Sequence, residues 1–311
     1  AYMAMMLLIG ASYMKTGKST EDYFLGGRKL GGWVVALSAQ ASDMSGWLLM
    51  GLPGSVYALG TGQMWIAVGL FLGTVANWLI ISGRLRRYTI VANNSLTLPA
   101  YFENRFHDKK RILLGISSVV IVIFFLVYTA SAFASGGKLF STVFGCSYHV
   151  SLTIGAVIIL AYTFMGGFMA VCTTDFIQGM LMLVALVTVP VVAFALMGGN
   201  VGPALEQTGV TAANFLNVMK NGDNNFSAVE IISQLAWGLG YCGMPHILVR
   251  FMAVKNQKEL NKSKGIAIIW VAISLAFAVV IGVLGRAYLY PTILGADGGS
   301  TETVFIEMIK Q

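Results

Sequence analysis

"ALSAQASDMSGWLLMGLPGSVYALG", Ala36 to Gly60, carries a single charged residue, Asp43, and no other Lys, Arg, Asp or Glu occurs from Gly31 to Gly83. If this stretch spans a bilayer, Asp43 lies at membrane depth. A carboxylate there is costly and reads by default as functional. Gly31–Gly60 is too long for one straight crossing, and its centre, Ala41-Ser42-Asp43-Met44-Ser45-Gly46, consists of small and polar residues that unwind a helix readily. Carbonyls freed by such a break cannot face lipid, so they must line a protein cavity and find a ligand. Free carbonyls, hydroxyls and a carboxylate together suit a small hard cation, sodium or a proton. The plainer alternative is a kink satisfied by serine side chains and water, with Asp43 neutral and hydrogen-bonded.

Composition places the rest of the chain in the same solvent. Hydrophobic residues make up 57% and charged residues 11%, and several apolar runs reach the roughly 20 residues a spanning helix needs. The expected class is an all-α polytopic membrane protein. The net charge of +7 does not point to nucleic acid, because the basic residues fall in the gaps between apolar runs rather than on one face. Cys146, Cys172 and Cys242 make neither a metal spacing nor an even disulfide framework, and read as structural. The run from Ala1 to Met14 lacks a basic leader and cleavage site, and is expected to be the end of an extra N-terminal spanning helix (1–14).

The further apolar runs are Gly31–Gly60, Met64–Gly83, Ile112–Gly137, Val150–Gly166, Phe176–Gly198, Ile231–Val249 and Gly265–Leu284. Three basic clusters separate them: Lys15, Lys18, Arg28 and Lys29; Arg84, Arg86, Arg87, Arg105, Lys109, Lys110 and Arg111; and Arg250, Lys255, Lys258, Lys262 and Lys264. Counting crossings puts all three on one side, which the positive-inside rule makes cytoplasmic, with the N-terminus outside. Glycine pairs at 26–27, 136–137, 166–167 and 198–199 read as packing or turn devices.

A second break is expected at Trp237-Gly238-Leu239-Gly240-Tyr241-Cys242-Gly243-Met244-Pro245, where three glycines and a proline weaken the helix. Trp237 and Tyr241, one helical turn apart, would give a small amphipathic solute apolar walls with polar edges. His246 reads as a satisfied structural group before a proton relay. Discontinuous helices at related places mark the central site of a secondary transporter, and a spacing of five crossings predicts two five-helix repeats of inverted topology.

Five stretches carry a resemblance: "EDYFLGGRKLGG", "ALSAQASDMSGWLLMGLPG", "NNSLTLPAYFENRF", "TFMGGFMAVCTTDFIQ" and "WGLGYCGMPHILVRFMA". Together they resemble the solute:sodium symporter family, in its order and over nearly all of the chain. The resemblance implies the five-plus-five inverted-repeat fold and sodium-coupled symport in a bacterial cytoplasmic membrane, with sodium as coupling ion and L-proline as solute. It implies sodium near the carbonyls of Ala41 and Met44 with Asp43 needed for tight binding, Ser45 and Gly46 between ion and solute, and Arg28 in coupling. Trp47, Tyr128, Trp237, Gly238, Tyr241 and Pro245 fall to the solute pocket. Asp175 falls to the inward sodium path, or else is a carboxylate favouring a helix N-terminus. The first repeat would cover 31–198, the second would open over 228–290, and 291–311 would be extracellular. The family's further spans are expected beyond Gln311. A smaller departure is Gln40, where the resemblance implies a small residue; a polar side chain beside the unwound stretch is expected to alter ion affinity or solute range. Another family solute, a sugar or carboxylate, stays open as an alternative. Neither a pore-lining ring for a channel nor a convergent catalytic set for an enzyme is present in the sequence.

Overall fold

The computed structural model describes residues 2–14, 19–295 and 300–311; Lys15 and Lys18, used above for topology, lie outside these residues. The described helices are, in chain order, α1 (Tyr2–Tyr13), α2 (Thr20–Leu25), α3 (Gly32–Gly46), α4 (Leu52–Leu59), α5 (Met64–Ala76), α6 (Ser82–Val91), α7 (Leu98–Phe106), α8 (Ile112–Phe144), α9 (Tyr148–Leu196), α10 (Val201–Gln207), α11 (Ala212–Phe215), α12 (Ala228–Ala236), α13 (Pro245–Met252), α14 (Gln257–Tyr288) and α15 (Val304–Lys310). The strands among the described residues form a minimal antiparallel ladder, β1 (Lys220–Asn221) on β2 (Asn224–Asn225). The chain forms two compact units. The first comprises Ala1–Asp43, Ala76–Gly179 and Gly243–Ala267; the second comprises Met44–Val75, Met180–Cys242 and Ile268–Gln311.

Four described segments are long and apolar enough to cross a membrane: Thr61–Val91, Ile112–Phe144, Tyr148–Leu196 and Gln257–Tyr288. Two further expected crossings are in shorter pieces because their helices are broken. α3 breaks at Ser45, which takes φ 44° and ψ −154°, and a π-helical turn over Trp47–Gly51 then leads into α4. The stretch after α12 tightens into a 3₁₀ turn over Trp237–Gly243 before α13 restarts at Pro245. Both breaks fall inside the stretches that the sequence marks as unwound.

Two boundaries differ from the sequence reading. The expected gap between Gly166 and Phe176 is helical, and α9 runs through it with one break, at Gly167 (φ 57°, ψ −153°). Residues 168–175 contain no proline or glycine, so one positive-φ glycine suffices and helix resumes beside it. α8 continues past Gly137 to Phe144, because that glycine's bare face admits Tyr148 and Leu152 of α9; an added Cβ would sit 3.0 Å from each. Start signals are ordinary: the Ser19 and Thr97 side chains cap α2 and α7, and Ser227 with Glu230 forms a reciprocal capping box on α12.

In the second unit, α5 meets the end of α12 and the turn that follows it backbone to backbone. A Cβ on Gly69 would lie 2.5 Å from the Leu235 carbonyl oxygen, and one on Gly73 would collide with the Gly238 carbonyl. Small residues permit this approach, which in lipid replaces the hydrophobic effect as the source of helix association. Gly73→Ala is therefore expected to lower stability by about 1–3 kcal/mol as the crossing is forced apart. Gly115→Ala, with open space around its Cβ position, should leave thermal unfolding in detergent unchanged; equal melting of the two variants would show that the crossing is not tight.

Candidate functional site

In the first unit, three helices are tied together by one buried pair of charges. Arg250 of α13 and Asp175 of α9 are 4% and 7% exposed, and Arg250 Nη2 lies 2.7 Å from Asp175 Oδ2. Two hydroxyls of α3 complete the arrangement. Ser38 Oγ donates to Asp175 at 2.7 Å and accepts from Arg250 Nε at 2.6 Å; Ser42 Oγ donates to Asp175 at 3.1 Å and accepts from Arg250 Nη2 at 2.6 Å. Arg250 Nη1 also donates to the His246 carbonyl of its own helix. Every charge in the cluster thus has short hydrogen-bond partners, which a buried ion pair requires if it is not to cost stability.

This corrects two sequence readings. Arg250 does not belong to the basic loop cluster used for topology, because it is buried four residues beyond His246 in α13. Asp175 does not open a helix; it lies within α9, so the N-terminal reading of its carboxylate fails and Arg250 is what holds it.

Arg28, expected in coupling, stands on a left-handed residue between α2 and α3 (φ 52°) and binds structural groups. It donates to the Met252 carbonyl at 2.7 Å, the Ser95 carbonyl at 3.0 Å and Asn94 Oδ1 at 3.1 Å. Burial lowers its pKa from the ordinary arginine value, and Glu21, 3.5 Å away, opposes that shift. Arg28 therefore clamps the last turn of α13, a place where a cation suits the helix dipole. A two-bond backbone bridge between Leu30 and the 253–255 segment lies beside it.

Tyr128 of α8 donates its hydroxyl to the Ser42 carbonyl at 3.0 Å, and its ring stacks on His246 with centroids 5.2 Å apart. Phe125 packs edge-on against the same imidazole. Both ring nitrogens of His246 are buried with no hydrogen-bond partner among the described residues. His246 is thus not the satisfied group expected; aromatic faces hold its ring in place. With Pro245, Phe125 and Met252 it lines a cavity of ≈ 580 Å³. Ala41 and Asp43 lie on the buried last turns of α3 before the break, each 9% exposed.

The second unit holds the other expected residues. Tyr241 is buried and its hydroxyl meets Met44 Sδ at 3.7 Å. Trp237 is 52% exposed, its ring 5.4 Å from that of Trp47. The two aromatics do not share a face, because in a 3₁₀ turn of three residues per turn a four-residue spacing rotates side chains about 120° apart. Gly238 is occupied by the crossing with Gly69 and Gly73. Ser45 and Gly46 form the break itself. A non-glycine residue at positive φ with ψ near −154° is strained, and such strain concentrates at functional sites.

Arg250 was legible only as an arginine amid Ile247, Leu248, Phe251 and Met252. That signal pairs with the equally isolated Asp175, and in an apolar setting two lone opposite charges seek each other.

The family model described as Sodium:solute symporter family matches residues 23–311. A sodium/proline symporter of Escherichia coli (strain K12) is 46% identical over 311 residues, covering 99% of this chain and 61% of that protein. One from Staphylococcus aureus is 44% identical over 307 residues, covering 99% and 58%. The chain thus spans about three fifths of the length of these curated relatives. A solved sodium-coupled sialic acid symporter in a substrate-bound outward-open state aligns with a TM-score of 0.82 at 21% identity, over 98% of this chain and 64% of that one, which is a likeness of fold.

Removing one partner of a buried pair leaves an uncompensated charge. Arg250→Leu alone should cost about 3–5 kcal/mol, read as a lowered melting temperature in detergent. Arg250→Leu with Asp175→Leu should regain most of that loss. A double variant as unstable as the sum of the single ones would contradict the pairing.

Proposed function

We propose a function from one premise: the chain belongs to the sodium:solute symporter family. Its fold is that of the all-helical, multi-pass membrane transporters with five-plus-five inverted repeats, and its family is one of transporters rather than enzymes. Sodium in this family is a transported ion, so it is cargo rather than a resident cofactor. The reading adopted is sodium-coupled symport of L-proline into the cell. The observation that carries it is 44–46% identity, over 99% of this chain, to proteins named sodium/proline symporters.

The residues support this reading chemically. Asp43 supplies the one charge on a broken helix whose freed backbone must find a ligand, and Ala41 offers a carbonyl one turn before the break. Ser38 and Ser42 are engaged by Asp175 and Arg250. The cation role on α3 therefore falls to Asp43 and its own stripe. Tyr241, and separately the Trp237–Trp47 pair on another face, supply apolar surface with polar edges for a compact zwitterion. Arg28 acts in coupling by joining the foot of α3 to the end of α13. In the proposed repeat order, 31–198 forms the first repeat and 228–290 opens the second, with the N-terminus outside.

The reading is tested by equilibrium binding of labelled proline to the purified protein. Binding should rise with sodium, and unlabelled proline should displace it where sugars do not; sodium-independent binding, or displacement by a sugar, would overturn the assignment. Asp43→Asn keeps the shape and removes the charge. It should raise half-saturating sodium at least about tenfold, equivalent to roughly 1.4 kcal/mol, and unchanged sodium dependence would remove Asp43 from the site. For orientation, in a variant whose native cysteines are replaced by serine, a cysteine at Asn224 should react with an impermeant maleimide in intact cells and one at Lys258 only after permeabilisation. The reverse pattern would invert the topology.

A further inference from the structure

The helix α3 carries two polar stripes. At about 100° per residue, Ser38 and Ser42 lie about 40° apart and face Asp175 and Arg250, while Gln40 lies about 200° from Ser38 and about 60° from Asp43. Gln40 is 2% exposed, and its Oε1 is buried and accepts no hydrogen bond among the described residues. A buried amide oxygen without a partner bears the full loss of its hydration, and native folds keep such groups only where something else meets them. Helical side chains lean toward the N-terminus, so the Asp43 carboxylate projects over the turn that carries Gln40.

We propose that Gln40 is a further cation-site residue, whose amide oxygen is a neutral ligand to the transported monovalent cation beside Asp43 and sets its preference for sodium over a proton. This rests on the symport reading above. The chemical reason lies in the difference between the two ions. A proton is satisfied by one bond to a carboxylate oxygen, whereas sodium must replace several water oxygens at once and gains from each carbonyl offered. A neutral oxygen adds coordination without a second negative charge, which would favour protonation of the pair.

The test reads sodium binding without transport: the sodium-dependent rise in melting temperature of the purified protein, titrated at pH 6 and pH 8 without proline. Gln40→Leu keeps the bulk and removes the oxygen; half-saturating sodium should rise at least about tenfold, and more steeply at pH 6 than at pH 8. Gln40→Glu keeps an oxygen at the same reach and should still bind sodium at pH 8. Should the leucine variant fail to fold, Gln40→Asn withdraws the oxygen by one methylene and should weaken sodium binding in the same direction. Wild-type sodium affinity in a folded leucine or asparagine variant overturns the proposal and leaves the symport reading intact, with the amide held by water alone. No sodium-dependent shift in the wild-type protein overturns the symport reading itself, and this inference with it.

Discussion

The contact between Arg250 and Asp175 is the constraint on which the first unit depends. Two charges removed from water are tolerated only when each is fully hydrogen-bonded, and the two serines of α3 supply what the ions do not supply to each other. The consequence is geometric. α3 cannot rotate or slide relative to α9 and α13 without stripping a buried charge of a partner, so the turn carrying Asp43 is held in a fixed orientation. The Arg28 clamp and the Leu30 bridge act on the same helices at their foot, making the assembly rigid up to Asp43.

Rigidity below the break gives the break its meaning. Ser45 holds a conformation that a glycine would adopt with less strain, and the surrounding structure must over-determine it. With Ser38 and Ser42 committed to the ion pair, α3 divides its polar residues between two tasks. One stripe fixes the helix; the other carries Asp43 and Gln40, to which the cation role is proposed to fall. A carboxylate and a buried amide acceptor on one side of α3 suit the cation role proposed for this helix.

Much of this was legible in the sequence, and the reasons are specific. A lone aspartate across some fifty uncharged residues marks itself, as do glycine and proline crowded into nine positions of an apolar run, because both patterns are costly in lipid unless a cavity accompanies them. Arg250 was hidden by its neighbourhood. Lying shortly before Lys255, Lys258, Lys262 and Lys264, it counted as one more loop cation, and only the fold brings it to Asp175, 75 residues away. The position of Trp237 was missed for a different reason. Its alignment with Tyr241 assumed an α-helical turn, and three glycines tightened that turn to 3₁₀, rotating one ring inward and leaving the other half exposed. Gly166 was read as the end of a span because a double glycine usually marks one; a single positive-φ residue, Gly167, breaks α9 without ending it. The orphaned oxygen of Gln40 has no sequence signature, since a glutamine in a helix says nothing of whether its amide finds a partner.

Binding and coordination do not by themselves make a transporter; coupling does. The direct measurement is uptake of labelled L-proline into proteoliposomes containing the purified protein, with equal proline on both sides and an inward sodium gradient. The account predicts that proline accumulates above its external concentration, that the accumulation grows with the sodium gradient, and that a sodium ionophore abolishes it. Proline equilibrating without accumulation whatever the gradient, or accumulation driven equally by a proton gradient in the absence of sodium, would contradict it.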